Sequence, residues 1–326
     1  MPLNLLLKLA VIFFLLTESA YPGEKRGSLV LAFDDGDKNW VTTIAPEMAR
    51  VGGVATAYVN NFRVHSGYLS FEDLRTLQNR YGWEIGTHTY HHYDATVYIK
   101  LHGISQWTKD ELDVSIAELQ SEGLKVRSLV FPFNKYTEQL RTEALKYVAV
   151  FRQYSLNPVT GGQSEDGSLP VRAIDLEHYV PMSKIFGWIE TAWEKNQMLL
   201  LYGHQVFPDS EFRTGEVESV SESALVAKQA VEPLSKPYSC LVPDERRELT
   251  FALFIESIEG TTVKVSAENL PRLTRPGTRF VIGPCIGMRL SDFRRLIDRA
   301  SQRLNFRTVR DALQFPGPYL TGEASQ

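Results

Sequence analysis

Short apolar runs alternate along the chain with longer stretches of helical spacing. Leu29 to Phe33 is an unbroken apolar run and predicts a buried strand. Asn39 to Val51 predicts a helix that stops at Gly52-Gly53, and Val54 to Val59 a second strand. Ser70 is placed to cap a helix that Gly82 closes. Trp83 to Gly86 is a short strand that delivers Thr87-His-Thr-Tyr-His-His92. Thr108-Lys-Asp-Glu111 has the form of a capping box and predicts a helix to about Gly123. Ser128 to Phe133 is another apolar run, ending in Phe131-Pro-Phe-Asn134. A helix over Thr137 to Tyr147, a strand over Val148 to Phe151, a Gly- and Ser-rich loop over Asn157 to Ser168 and a strand over Val171 to Ile174 follow. Ser183 to Asn196 is an amphipathic helix, and Met198 to Tyr202 an apolar strand ending at Gly203-His204.

Strands alternating with helices predict βαβ units and a parallel sheet. The crossovers are short and no Gly-rich dinucleotide fingerprint follows the first strand, which favours a barrel over a doubly wound sheet. Polar residues cluster where strands end: Asp34 and Asp35 after Phe33, the histidines after Gly86, Asp175 after Ile174 and His204 after Gly203. In a barrel of this kind those ends share one face, where catalytic side chains gather. From about Phe207 the pattern changes. Pro208 to Lys236 is polar, and Glu248 to Ser257, Thr261 to Ser266 and Thr278 to Ile282 read as strands with turns at Glu259-Gly260 and Pro276-Gly277. Barrel spacing returns with Ser291 capping a helix to Asn305 and a final strand Phe306 to Val309. The expected fold is α/β, a distorted (β/α) barrel of about seven parallel strands with a β-rich insertion before the last helix and strand. The expected divisions are a signal peptide over 1–20, the barrel over 27–207 and 285–315, the insertion over 208–284 and a C-terminal tail over 316–326.

Composition changes this picture little. The chain has 326 residues, 43% hydrophobic and 23% charged, ordinary for a globular protein. A net charge of −4 with no basic stripe gives no electrostatic case for nucleic acid. Leu5 to Leu16 is apolar except for Lys8, with Ala20 as a small residue for cleavage, so the segment fits a signal peptide better than a membrane span. An uncleaved anchor is the alternative, and no later segment is long and apolar enough to span. Export makes Cys240 and Cys285 a candidate disulfide, against two unlinked thiols.

Of the seven histidines, three cluster at His88, His91 and His92. His88 and His92, four apart on a turn or tight loop, face the same way and suit a metal. Two histidines with one carboxylate make a common set for a catalytic zinc with one position open to water. Adjacent acids at a strand end point different ways, so one of Asp34 and Asp35 suits a metal and the other a proton.

Phe33-Asp-Asp-Gly36, His88-Thr-Tyr-His-His92, Phe131-Pro-Phe133 and Leu199-Leu-Leu-Tyr-Gly-His204 together resemble the ordered motifs of the NodB-type polysaccharide deacetylases. The resemblance implies Asp34 as catalytic base, and Asp35, His88 and His92 as metal ligands. It also implies Thr89 as a brace for the histidine loop, His204 as catalytic acid and the backbone N–H near Phe133 as an oxyanion donor. Asp175 is the candidate for the acid that tunes a catalytic group, with Arg172 second. The chain departs from the family pattern at Asp37, where proline is usual, and lacks the arginine that often opens the third motif; Arg127 stands four residues before Phe131. Trp40, Tyr90, Tyr93 and Phe207 are candidates either to stack on sugar rings or to pack the barrel rim. The expected function is that of a secreted or periplasmic deacetylase removing N-acetyl groups from an amino-sugar polysaccharide. Its expected cofactor is a divalent metal, Zn2+ by default, with cobalt or nickel as substitutes. The alternatives are a same-fold amidase or O-acetyl esterase, and a carbohydrate-binding protein without turnover.

Overall fold

The computed structural model describes residues 25–150, 153–154, 159–160, 172–176, 180–234, 239–243, 253–266, 270–272 and 274–313. The expected signal segment, the loop over Asn157 to Ser168 apart from Val159–Thr160, and the tail lie outside them.

The strands of the first unit are β1 (Ser28–Asp35), β2 (Thr56–Val59), β3 (Glu84–Thr87), β4 (Val126–Leu129), β5 (Ala149–Val150), β6 (Gln153–Tyr154), β7 (Val159–Thr160), β8 (Arg172–Asp175) and β9 (Met198–Gly203). They hydrogen-bond in the order β5-β4-β3-β2-β1-β9-β8-β6, parallel at every step, while β7 adds to β9 antiparallel. The two ends of this path, β5 and β6, are three residues apart in sequence, a span of at most about 11 Å. The sheet therefore curls into a distorted barrel of seven strand positions, with β5 and β6 sharing one. The expected strand over Val148 to Phe151 is this divided position.

β1 is the axis of the ring. One edge pairs with β9 from Ser28 to Phe33; the other pairs first with the late strand Asn305–Arg307 and then with β2 from Ala32 to Asp35. Its side chains alternate between two cores. Leu29, Leu31 and Phe33 pack outward under the helices, where Phe33 stacks on Trp83 at 5.6 Å and meets Phe293 edge-on at 6.3 Å. Val30 and Ala32 face the barrel interior with Tyr58, Val130, Leu200 and Tyr202. The same alternation turns Asp34 inward. Gly86 makes room for this interior: a Cβ there would lie 2.4 Å from the Tyr58 ring.

Helix signals were legible where they were local. Ser70 caps Phe71–Tyr81 in a capping box completed by Asp73, and Gly82 ends it in the left-handed region. Thr137 caps Glu138–Ala144. Three expectations need correction. Thr108 does not cap a helix. The helical stretch already starts at Ile104, and Thr108 Oγ1 donates to the Ile104 carbonyl at 3.0 Å inside it. Ser291 lies inside the helix Leu290–Arg303, where its hydroxyl donates to Asp209 at 2.8 Å. The last strand is Asn305–Arg307, and Val309–Leu313 is helical.

At the far end of the barrel from the acids sits a buried carboxylate, Glu84. It accepts from Ser128 Oγ, Thr56 Oγ1 and the Arg310 backbone N–H at 2.7, 3.2 and 2.8 Å. Burial pushes its carboxyl up, and its three donors tie the closing helix to the barrel floor.

β10 (Val206–Phe207) leads out of the barrel. Beyond it, β11 (Arg213–Val220), β12 (Ala224–Ala227), β13 (Ser239–Pro243), β14 (Leu253–Glu259), β15 (Thr262–Val265) and β16 (Arg279–Pro284) form a second, closed, antiparallel barrel. Its core holds Val217, Leu225, Leu241, Val263, Phe280 and Ile282. A disulfide joins Cys240 to Cys285. The chain re-enters through β17 (Met288–Arg289), which pairs with β10, and ends its strands with β18 (Asn305–Arg307).

Candidate metal centre

Each candidate ligand sits where a parallel strand stops. β1 ends at Asp34-Asp35-Gly36, and the chain turns there through two successive positive φ values, 79° at Asp35 and 113° at Gly36. The Gly36 N–H closes the turn on the Asp34 carbonyl at 3.1 Å. The φ at Gly36 calls for glycine, and a Cβ there would also press on the Leu69 methyl at 2.8 Å. This turn separates the two carboxylates. Asp34 stays buried beside Tyr58 in the strand register, while Asp35 swings to the mouth, 17% exposed.

β3 ends in a loop with Thr89 and His92 both at positive φ, 64° and 66°. Side chains hold that loop in shape. Thr87 Oγ1 accepts from the Thr89 N–H at 3.0 Å, and Thr89 Oγ1 from the His92 N–H at 3.3 Å. Glu111 is buried and takes two donors from His91, the backbone N–H at 2.9 Å and Nδ1 at 2.7 Å. The loop is thus fixed from both sides.

The result brings Asp35, His88 and His92 together, with one ligand atom from each lying within 4.8 Å of the others. His92 Nε2 is 3.2 Å from Asp35 Oδ1 and 3.2 Å from His88 Nε2. His88 Nδ1 lies 2.7 Å from the Val130 carbonyl. A carbonyl only accepts, so Nδ1 carries the proton and Nε2 turns a lone pair to the cluster. Asp35 Oδ1 is buried and, despite the nearby imidazole, has no partner in hydrogen-bonding geometry. An orphaned buried oxygen facing imidazole nitrogens fits a divalent cation with mixed N and O ligands. Burial pushes the Asp35 carboxyl up, yet His92, His88 and His204 together hold it well below the usual carboxylate range. The residues present therefore fit a metal.

His204 stands one residue past the end of β9, near enough to act on the Asp35 carboxyl, with its ring 6.5 Å from that of Tyr202. Phe133 is at positive φ, 58°, and its exposed ring meets His92 edge-on at 4.7 Å. Asn134 follows, and its side-chain amide donates to Tyr202 Oη at 3.1 Å. Asp175 closes β8 beside Tyr202 in the register.

Several contacts escaped sequence reasoning. Arg63, in the short helix Asn61–His65, lies 3.5 Å from Asp35 Oδ2 and covers the Tyr68 ring at 4.1 Å. It brings a guanidinium to the aspartate pair that the third motif lacks. Glu111 carried only the misleading signal of a capping box, and Gln205 none, because their partners His91 and Asp37 are distant in sequence. Trp40 is fully buried and packs the rim, so it offers no face to a sugar. Tyr93 is half exposed, stacked between His91 at 5.1 Å and Tyr98 at 5.9 Å. These rings line a cleft of about 900 Å³ on the outer side of the histidine loop, which does not reach Asp34, Asp35 or His204.

Residues 22–150 match the family model described as polysaccharide deacetylase. Among solved structures, the chain is similar to the peptidoglycan deacetylase PdaC from Bacillus subtilis at 16% identity, covering 56% of this chain and 76% of that one with a TM-score of 0.37. It is similar to a family 4 carbohydrate esterase from Streptomyces lividans at 14% identity, covering 55% and 79%, TM-score 0.37. IcaB from Ammonifex degensii is 24% identical over 37% of this chain and 58% of its own, TM-score 0.33. A search of curated proteins finds no match.

Proposed function

We propose that this protein is an exported, metal-dependent deacetylase that hydrolyses N-acetyl groups on an amino-sugar polysaccharide. The observation that carries the reading is the convergence of Asp35, His88 and His92 on an orphaned carboxylate oxygen at the mouth of the barrel, next to Asp34. The match of residues 22–150 to the polysaccharide deacetylase model supports hydrolysis of acetyl groups on a polysaccharide. The apolar stretch Leu5 to Leu16 and the Cys240–Cys285 bridge support an oxidising, extracytoplasmic site of action. No helix among the described residues is long and apolar enough to cross a membrane. On this reading, residues 27–207 and 285–315 form the catalytic unit and 208–284 an insertion.

Asp35, His88 and His92 would hold the ion, zinc by default. When bound, it supplies a Lewis acid that polarises an acetyl carbonyl and acidifies water. The protein supplies the remaining groups. Asp34, buried at the strand end, accepts the proton of the attacking water. The backbone N–H near Phe133 donates to the developing oxyanion, an effect of about 3 kcal/mol where such donors have been removed. His204, across the mouth, protonates the departing amine. Arg63, 3.5 Å from Asp35 Oδ2, helps to orient that carboxylate.

Acetate release from a panel of N-acetylated polymers, with and without chelator, tests the whole reading. The expected result is chelator-sensitive release, with Asp34→Ala and His204→Ala each lowering kcat on the order of 10²- to 10⁴-fold. Full turnover in both variants would remove the catalytic assignment. Unchanged behaviour of His88→Ala, with no bound metal in either protein, would remove the metal centre.

A further inference from the structure

The ladder that holds β9 against β1 ends at the Phe33–Gly203 pair. His204, Gln205 and Val206 therefore leave the barrel with no further β1 partner. Each is bound by the loop that follows Asp35, while on the other side Met288 of β17 pairs with Val206 and donates its N–H to the Gln205 carbonyl at 3.1 Å. The Trp40 indole N–H donates to the His204 carbonyl at 2.8 Å. Asp37 Oδ2 accepts from Gln205 Nε2 at 2.7 Å. Asn39 makes a reciprocal pair with Val206, its Nδ2 donating to the carbonyl and its Oδ1 accepting from the N–H, both at 2.8 Å. Asp37 also shapes its own loop, with Oδ1 accepting from the Asn39 N–H at 2.8 Å.

We infer that Asp37, Asn39 and Trp40 form a latch that fixes the position of His204, with Asp37 as a positioning residue for proton donation to the leaving amine. This rests on the assignment of His204 made above.

Trp40 is fully buried, so the donor that holds the His204 carbonyl is itself immobile. The Asn39–Val206 pair imitates a rung of sheet and holds the backbone two residues on. Asp37 closes the gap between them with a charge-assisted acceptor, stronger than a neutral one. Proline at position 37 could make neither of the two Asp37 side-chain bonds. The departure of this chain from the family pattern at Asp37 thus coincides with a tie between the two loops that carry the base and the acid. Proton transfer is sensitive to such ties, since a misplacement of about 1 Å can cost about a hundredfold in rate.

The test uses the full chain loaded with zinc. Asp37→Ala and Asp37→Pro are expected to lower kcat about tenfold, with KM and zinc content unchanged. Asp37→Asn is expected to retain most of the rate, because the Gln205 amide can reverse and accept from the new side chain. Gln205→Ala should lower kcat in the same way and by no more than Asp37→Ala, which also loses the Asn39 bond, and the double variant should fall no further than Asp37→Ala. A wild-type kcat in Asp37→Ala, or a loss of zinc, overturns the latch. If Asp37→Ala does not fold, Gln205→Ala decides by the same measures. His204→Ala separates the two levels. If it retains turnover, the proton-donor assignment fails. If it is inactive while Asp37→Ala and Gln205→Ala are normal, only the latch fails.

Discussion

The parallel barrel and the inserted antiparallel barrel treat their strand ends in opposite ways. In the inserted barrel, strands run antiparallel and the tight turns at Gly260 and Gly277 take the left-handed conformation with glycine, which bears it without strain. In the parallel barrel every strand but β7 points to one mouth, and the loops there also use residues other than glycine for the same conformation. Of the six non-glycine residues with positive φ among those described, Asp35, Thr89, His92, Phe133 and Asn134 line this mouth, and Asn196 ends a helix. Each such residue costs about 1–2 kcal/mol relative to ordinary backbone. Two of them, Asp35 and His92, belong to the candidate metal set itself. Strain is concentrated where side chains must be aimed and is absent where the chain only needs to reverse. The neighbouring hydrogen bonds from Thr87, Thr89 and Glu111 hold it in place.

The largest expected effect breaks the second barrel and leaves the first. The Cys240–Cys285 bridge closes a loop of 45 residues. Chain-entropy reasoning gives it about 4 kcal/mol. Replacing both cysteines by serine should loosen the inserted barrel by about that amount, read as loss of amide protection in β11 to β16. Zinc content and the protection of β1 to β4 should persist. If metal binding falls together with the insertion, the two barrels are one cooperative unit and the contrast drawn above is wrong.

A smaller effect runs the other way. Leu31 is fully buried on the outward face of β1, three residues before Asp34. Leu31→Ala should cost about 3 kcal/mol through lost burial and a residual cavity. Because β1 also carries the aspartates and pairs with three strands, weaker zinc affinity should accompany the loss, measured by competition with a chelating dye. A destabilised variant with undiminished affinity would show that the site is held by its loops alone.

Much of this barrel was legible before the structure, for a physical reason. The outward and inward alternation of β1, the apolar run of β9, the Ser70 cap and the Gly82 stop are all local patterns. The residues that meet as a candidate metal set could be picked out because each follows a strand and resembles a known motif. What escaped is what depends on distant partners. Glu111 matched the local form of a capping box, but its carboxylate binds His91, twenty residues away. Ser291 looked like a cap and instead reaches Asp209. Trp40 read as a possible sugar platform, yet its buried ring serves the His204 loop. Asp37 was visible as a departure from a pattern, while its partner Gln205 lies 168 residues on. Polar side chains with several possible partners are the least predictable from spacing.

The smallest effect sharpens the comparison through pH. The mouth of the parallel barrel is held partly by carboxylates, whereas the disulfide of the inserted barrel does not titrate. Lys38, within the loop that latches His204, pairs with both oxygens of Asp73 at 2.7 and 2.8 Å, and Asp73 completes the Ser70 capping box. Burial pushes the Asp73 carboxyl up, but Lys38 and Ser70 outweigh it and hold it below the ordinary value. A lowered folded value means that this stabilisation is full above the unfolded carboxylate range and is lost as pH falls through the folded one. Since the pair is partly exposed, its worth is about 1 kcal/mol including the cap. The difference in thermal midpoint between wild type and Asp73→Asn should therefore be widest near neutral pH and close below about pH 4. Amide exchange along the same titration should loosen the Asp37 to Trp40 segment before the inserted barrel. Loosening of the inserted barrel first would reverse the assignment of which half of the molecule depends on charge.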